Sequence, residues 1–394
     1  MSQTESSSEA SEPSAVTPFR ISVPDADLAD LKRRLEATRW PDQIPGQQHT
    51  YGADKSELQT LVAYWLDQYD WRSAEAELNQ WPQFTTHIDN EQVHFLHIRS
   101  ESEGAVPLLL THGWPGSVME FVDLIEPMTS PSDGTIPFHL VIPSLPGFGF
   151  SGPTTTTGLD PQRVAEMWVQ LMATLGYDGY IAQGGDWGAV VTAHIGHLDP
   201  DHCIGIHLNM LTAQPSADQL ESATEDQKLI LADMVRFRTE ETGYHAIQST
   251  KPQTLSYALT DSPAGLCAWI YEKFVTWTDC ERPDGERDVF AVVDRDRFLT
   301  NVMIYWLTNT AGSSARIYYE FAHLGRRIPK HVAVPTAGAD FPKDIYRASR
   351  EWMERAFNIV HWSTFESGGH FAAMERPEAF IADIRSFVDE VTPP

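Results

Sequence analysis

Basic residues are scarce in this chain: 28 stand against 55 acidic ones, only seven of the 28 are lysine, and the formal net charge over 394 residues is −27. A surface of that sign repels phosphate groups, which argues against nucleic acid and anionic membranes as partners. The same acid excess fits a salt-screened surface and an ordinary acidic protein alike. Cysteine is scarcer still. Cys203, Cys267 and Cys280 are an odd number without metal-ligand spacing, which argues against a disulfide framework and for a reducing compartment, the cytoplasm. No apolar run approaches the roughly 18 residues of a membrane-spanning helix. Phosphate-cradling and metal-ligand motifs are missing as well, so neither cofactor nor metal is expected. The opening MSQTESSSEASEPSAVT has no basic or apolar stretch of a secretory signal, and its polar, acidic composition predicts a disordered tail over 1–17.

What is present changes character along the chain. In FRISVPDADLADLKRRLEATRW, Asp25 or Asp27 starts a helix with Leu28, Leu31 and Leu35 on one face. The aromatic-rich stretch that follows, to Trp81, reads as a region wrapped around something else. From Phe84 the runs QFTTHID, VHFLHIRS, VPLLLTHG and FHLVIPSLPG have strand length and turn-forming ends, and helical stretches then alternate with apolar strands. That alternation predicts a mostly parallel sheet with helices on both faces. A long, mostly helical segment interrupts it. The resulting division is a tail at 1–17, an N-terminal extension at 18–83, a core at 84–210 and 327–394, and a helical cap at 211–326. In the second part of the core, a strand HVAVPTAGA, a helix over 345–357, a strand NIVHWSTF and a last helix PEAFIADIRSFVDEV are expected.

Three segments carry the chemistry. In GGDWG, Gly184 and Gly188 stand two residues either side of Asp186, between an apolar run and a small-residue helix. A sharp strand-to-helix turn that holds a nucleophile in strained backbone needs small neighbours of this kind, and here a carboxylate stands where such turns usually carry serine. For these five residues alone, an Asp capping the next helix is the competing reading. Upstream, HGWPGS follows an apolar strand, where an exposed N–H completes an oxyanion hole with the N–H after the nucleophile. Downstream, His370 lies in the glycine-flanked loop of ESGGHFAAMERPE before the final helix. Nucleophile, acid, then histidine is the order of an α/β-hydrolase triad.

With RWPDQ, PSLPGFGFSGP, GYHAIQSTKPQTLSYALTDSPAGLCAWIYEKF, NVMIYWLT and FPKD, these segments resemble the epoxide hydrolases of the α/β-hydrolase fold. The branch is the one with an N-terminal extension, which includes the microsomal, fungal and juvenile-hormone enzymes. The resemblance covers nearly everything after the tail. It implies an α/β-hydrolase fold with a mostly parallel sheet, an inserted helical cap and the extension. It also implies that a small apolar epoxide and water give a 1,2-diol without a cofactor. Asp186 is then the nucleophile and His370 the base. FPKD selects Asp344 as the charge-relay acid over Asp340, with Glu366 a weaker rival. GYHAIQSTKP selects Tyr244 and ARIYYE selects Tyr318, beside Tyr319, as the phenols that hold the epoxide oxygen. The N–H groups of Trp114 and Trp187 form the oxyanion hole. Microsomal members of the family carry a membrane anchor, whereas the polar start here favours a soluble protein; a homodimer is left open.

An aspartate suits this chemistry because a carboxylate is already an anion at neutral pH and attacks carbon without prior deprotonation. A haloalkane or haloacid dehalogenase would use the same nucleophile, but it needs halide-binding donors such as indole N–H groups. Trp187 fits both readings, whereas the extension and the paired tyrosines favour the epoxide. A serine esterase is disfavoured by the elbow, and a non-catalytic ligand-binding relative by the retention of every catalytic group.

Overall fold

In the computed structural model, which describes residues 15–392, the strand-like runs assemble into one nine-stranded sheet. The strands are β1 (Thr17–Phe19), β2 (Gln83–Ile88), β3 (Glu91–Ile98), β4 (Val106–Thr111), β5 (Phe138–Pro143), β6 (Tyr180–Gly184), β7 (Cys203–Leu208), β8 (Val332–Asp340) and β9 (Phe357–Thr364). Their order is β1-β2-β3-β5-β4-β6-β7-β8-β9, antiparallel as far as β5 and parallel from there on. The expected tail lies, up to residue 14, outside the described residues, and Thr17 already pairs with Thr85.

The central strands are apolar throughout because both faces are covered. In β4, Leu109 faces one core with Trp168 and Val191, while Leu108 and Leu110 face a second core with Phe138, Ile384 and Phe387. Helices Pro161–Thr174 and Trp187–Leu198 cover the first face, and the final helix Pro377–Val391 helps cover the second. One expected helix is much shorter than its sequence pattern. Of 345–357 only Arg350–Met353 is α-helical, because the start of the segment is committed elsewhere. Leu211 N–H donates to the Tyr346 carbonyl at 3.1 Å, and Arg347 forms a double hydrogen bond to Asp340.

Between 211 and 326 the described chain contributes helices and no strand to the sheet. The N-terminal region packs on this cap. Arg34 bonds the Asp261 carbonyl and carboxylate, Glu57 accepts from Tyr271 Oη at 2.9 Å, Tyr64 donates to Asp296, and Arg297 is held by Glu77 and Asp123. Among the described residues no helix is long and apolar enough to cross a membrane.

Candidate active site

Four connections leave the carboxyl ends of parallel strands on the same side of the sheet, where ligand sites of open α/β sheets form. After β6, Asp186 takes φ 52° and ψ −128°, outside the broad regions open to L-residues. The flanking glycines make this turn fit. A Cβ on Gly184 would lie 2.1 Å from the Gly188 carbonyl oxygen, and one on Gly188 would lie 1.9 Å from the Thr111 carbonyl oxygen. Although Asp186 precedes the helix Trp187–Leu198, its side chain makes no capping bond. The carboxylate turns into the interior instead, and Oδ1 accepts the Trp114 N–H at 2.8 Å.

The loop that presents this N–H is held from both sides. His112, kept neutral because burial pulls its pKa down to about 4, accepts the Leu145 N–H at 3.1 Å. From the cap, Asn301 donates to the Pro115 carbonyl at 2.8 Å and Tyr305 to the Gly116 carbonyl at 2.7 Å. Asn301 and Tyr305 are one helical turn apart in NVMIYWLT, which is how one helix face reaches two successive carbonyls. Sequence spacing shows that they share a face, but not what the face meets. The Trp187 N–H is the first amide of its helix and has no partner within it.

His370 Nε2 lies 3.3 Å from Asp186 Oδ2, and its Nδ1 is 2.8 Å from Asp344 Oδ1. Asp344 also accepts the N–H groups of Met210 at 2.8 Å and Ile345 at 2.7 Å, a donor set that suits an ionised carboxylate. Burial raises its pKa, while His370 and these donors oppose the rise. Of the rival acids, Asp340 is paired with Arg347 and Glu366 is exposed. The His370 loop is fixed by a carboxyl that sequence reading did not single out: Glu375 accepts the N–H groups of Gly369 and Phe371 at 3.0 and 3.1 Å. Burial lowers the His370 pKa, but the Asp344 charge, the hydrogen bonds to Asp186 and Asp344 and the Asp186 charge outweigh it and hold it up to about 10. The two carboxylates thus hold the ring toward its protonated form.

Opposite Asp186 stand Tyr244 and Tyr318, their rings 5.9 Å apart. Tyr318 is 2% exposed and meets Trp187 edge-on at 4.7 Å, whereas Tyr319 is 38% exposed and stacks on His323. Only the first of this adjacent pair faces the site. Burial, with the Asp186 charge adding to it, holds both phenols well above their ordinary range, so both remain protonated donors. Trp114 and Trp277 complete the aromatic wall, Trp277 with its ring 5.1 Å from His370. Of the other cap aromatics, Phe274 is core, stacked on Phe371 at 3.9 Å. A second carboxyl not legible as a site residue, Glu120, packs so closely on Gly116 that a Cβ there would meet it, and the Gly113 N–H reaches it. Burial raises its pKa to about 8 against the pull of His370, so it does not add a third negative charge at neutral pH.

A carboxylate with one oxygen in an N–H cradle and the other near a histidine, facing two phenols, can attack an electrophilic carbon whose leaving oxygen the phenols receive. Comparison with known proteins points the same way. Residues 16–121 match the family model "Epoxide hydrolase N terminus", and 106–247 match "alpha/beta hydrolase fold". A protein of Stigmatella aurantiaca is 44% identical over 375 residues, 94% of this chain and 84% of its own. Epoxide hydrolase 1 of Sus scrofa is 35% identical, with 96% of this chain and 90% of its own covered. The crystal structure of juvenile hormone epoxide hydrolase from Bombyx mori superposes with a TM-score of 0.89 at 34% identity, covering 96% of this chain and 95% of that one. The Aspergillus niger epoxide hydrolase structure does so with a TM-score of 0.84 at 36% identity, covering 96% and 97%. By its sequence matches, its fold and its extension, the chain belongs to the epoxide hydrolases of the α/β-hydrolase fold.

Proposed function

We propose that this enzyme converts small apolar epoxides to 1,2-diols through an ester formed on Asp186. The observation that carries the reading is the placing of Asp186 between the Trp114 N–H, His370 and the two phenols. With Oδ1 held by Trp114, Oδ2 attacks the epoxide carbon, and the carbon–oxygen bond of the ring breaks. Charge develops on the departing oxygen, where the Tyr244 and Tyr318 hydroxyls meet it. The proton that oxygen finally keeps comes from the His370 imidazolium by way of a phenol.

Esterification removes the Asp186 charge, and with it two of the influences that hold the His370 pKa up. The ring, now neutral and oriented by Asp344, takes a proton from water as the water oxygen attacks Asp186 Cγ. The oxyanion forms on Oδ1, in the cradle of the Trp114 N–H and the Trp187 N–H. Collapse expels the diol and restores both the Asp186 carboxylate and the His370 imidazolium. Protons therefore balance over the cycle: His370 gives one in the first half and regains one in the second.

Because the phenols act where charge develops, Tyr244→Phe and Tyr318→Phe should each slow ester formation by about 100-fold, near 3 kcal/mol, and leave ester hydrolysis little changed. Rapid-quench measurement of the two half-reactions checks this. Equal slowing of both would remove the phenols from the role given to them. The aromatic wall of Trp114 and Trp277 supports an apolar substrate, and three buried, unpaired cysteines support a reducing compartment such as the cytoplasm.

A further inference from the structure

Lys273 is a lysine where lysines are seldom found. On the cap helix Pro263–Trp277 its side chain is 5% exposed, and taking an ammonium out of water costs several kcal/mol unless partners replace the water. One partner is Glu272, whose carboxylate is 2.5 Å from Nζ. The others are rings: Nζ lies 4.6 Å from the centroid of Tyr244 and 5.5 Å from that of Trp277. Tyr244 is also stacked on Trp114 at 5.1 Å with the planes 7° apart. One of the two phenols facing Asp186 is therefore held between an indole and a cation, and the function proposed above makes no use of that cation.

We propose that Lys273 is a positioning residue for ring opening, acting through Tyr244: its ammonium over the phenol strengthens as negative charge passes from the epoxide oxygen into the ring. The inference rests on the reading that Tyr244 receives that oxygen. A cation is drawn to the electron-rich face of an aromatic ring. When the Tyr244 O–H shares its proton with a developing alkoxide, the ring gains electron density and the attraction grows. An interaction stronger in the transition state than in the ground state lowers the barrier, whereas equal attraction in both would not. Glu272, paired with Lys273, biases the phenol the other way, and Glu241 also feels the Lys273 charge, so the effect depends on the ammonium rather than on these carboxylates. Ester hydrolysis places its charge on Asp186 Oδ1, which the Trp114 N–H holds and to which Tyr244 gives no proton, so it should feel Lys273 little.

The test is a cycle on the full chain with styrene oxide as probe, following ester formation and ester hydrolysis separately in the wild type, Lys273→Met, Tyr244→Phe and the double variant. Lys273→Met should slow ester formation about tenfold, a part of what a desolvated cation–ring contact is worth, with hydrolysis of the ester little changed. In the Tyr244→Phe background the same substitution should have almost no effect, because no proton is left to share. Lys273→Arg should restore most of the wild-type rate. The same tenfold loss in both backgrounds, or a loss confined to ester hydrolysis, would overturn the inference. Should Lys273→Met fail to fold, Lys273→Gln is judged by the same coupling. Wild-type turnover without any ester would instead refute the proposed function and leave Lys273 without this role.

Discussion

Asp186→Ala should lower diol formation by at least about 10⁴-fold while the protein stays folded, as expected when a nucleophile is removed from a concerted set of groups. Three features make the loss large. No second ionised carboxylate can substitute: Asp344 is committed to His370, Met210 and Ile345, and Glu120 is held mostly protonated. The phenols and the N–H cradle remain, but they act on charge that arises only if an attack begins. Removing the Asp186 charge also withdraws two of the influences that hold a proton on His370, the proton that the opened epoxide oxygen keeps. The fold should tolerate the change because Asp186 makes no helix-capping bond and alanine, like aspartate, carries a Cβ at φ 52°. Turnover of a panel of terminal and aryl epoxides, with circular dichroism on the same samples, checks the result. Bromide release from short bromoalkanes without diol formation by the wild type would move the chemistry to dehalogenation.

His370→Gln should stop the cycle halfway. Ester formation needs the Asp186 carboxylate and the phenols, so it should continue, slowed by loss of the proton donor. Ester hydrolysis needs a base, and should fall by about 10³-fold or more. The enzyme should then gain the mass of one substrate molecule on Asp186 and hold it, with steady-state kcat and KM falling together. Intact-protein mass spectrometry after brief exposure to the epoxide reads this directly. Glutamine is the substitution of choice because Asp344 keeps its two backbone donors and the Glu375 carboxyl still fixes the loop. Loss of both half-reactions to the same degree would mean that His370 works chiefly before the ester.

The two predictions also mark how far the sequence alone reaches. Asp186 and the HGWPGS loop are legible because their local backbone demands a particular composition: glycines where a Cβ would strike a carbonyl, and an apolar strand before each turn. Strands β2 to β6, β8 and β9 are legible as apolar runs with turn residues at both ends. Patterning does not single out β7, where Gly205 and His207 break the run; His207 is buried because Asp383 of the final helix pairs with it at 2.9 Å. The edge strand β1 is three residues long, too short for alternation to register. Asp344 could be chosen over Asp340 only through a family motif, since what separates them is an Arg347 ion pair formed in three dimensions. Asn301, Tyr305, Glu120, Glu375 and Lys273 could not be read at all as parts of the site. Each matters through what packs against it from a distant part of the chain or across a tight loop, and no local spacing encodes that.

The central claim, that the substrate passes through an ester on Asp186, is tested most directly by a single turnover in heavy-oxygen water with enzyme in excess. If water attacks Asp186 Cγ, the first diol carries its new oxygen from the aspartate and is unlabelled, while the peptide containing Asp186 gains the heavy isotope. Label in that first diol, with Asp186 unlabelled, would mean that water attacks the epoxide itself and would contradict the account.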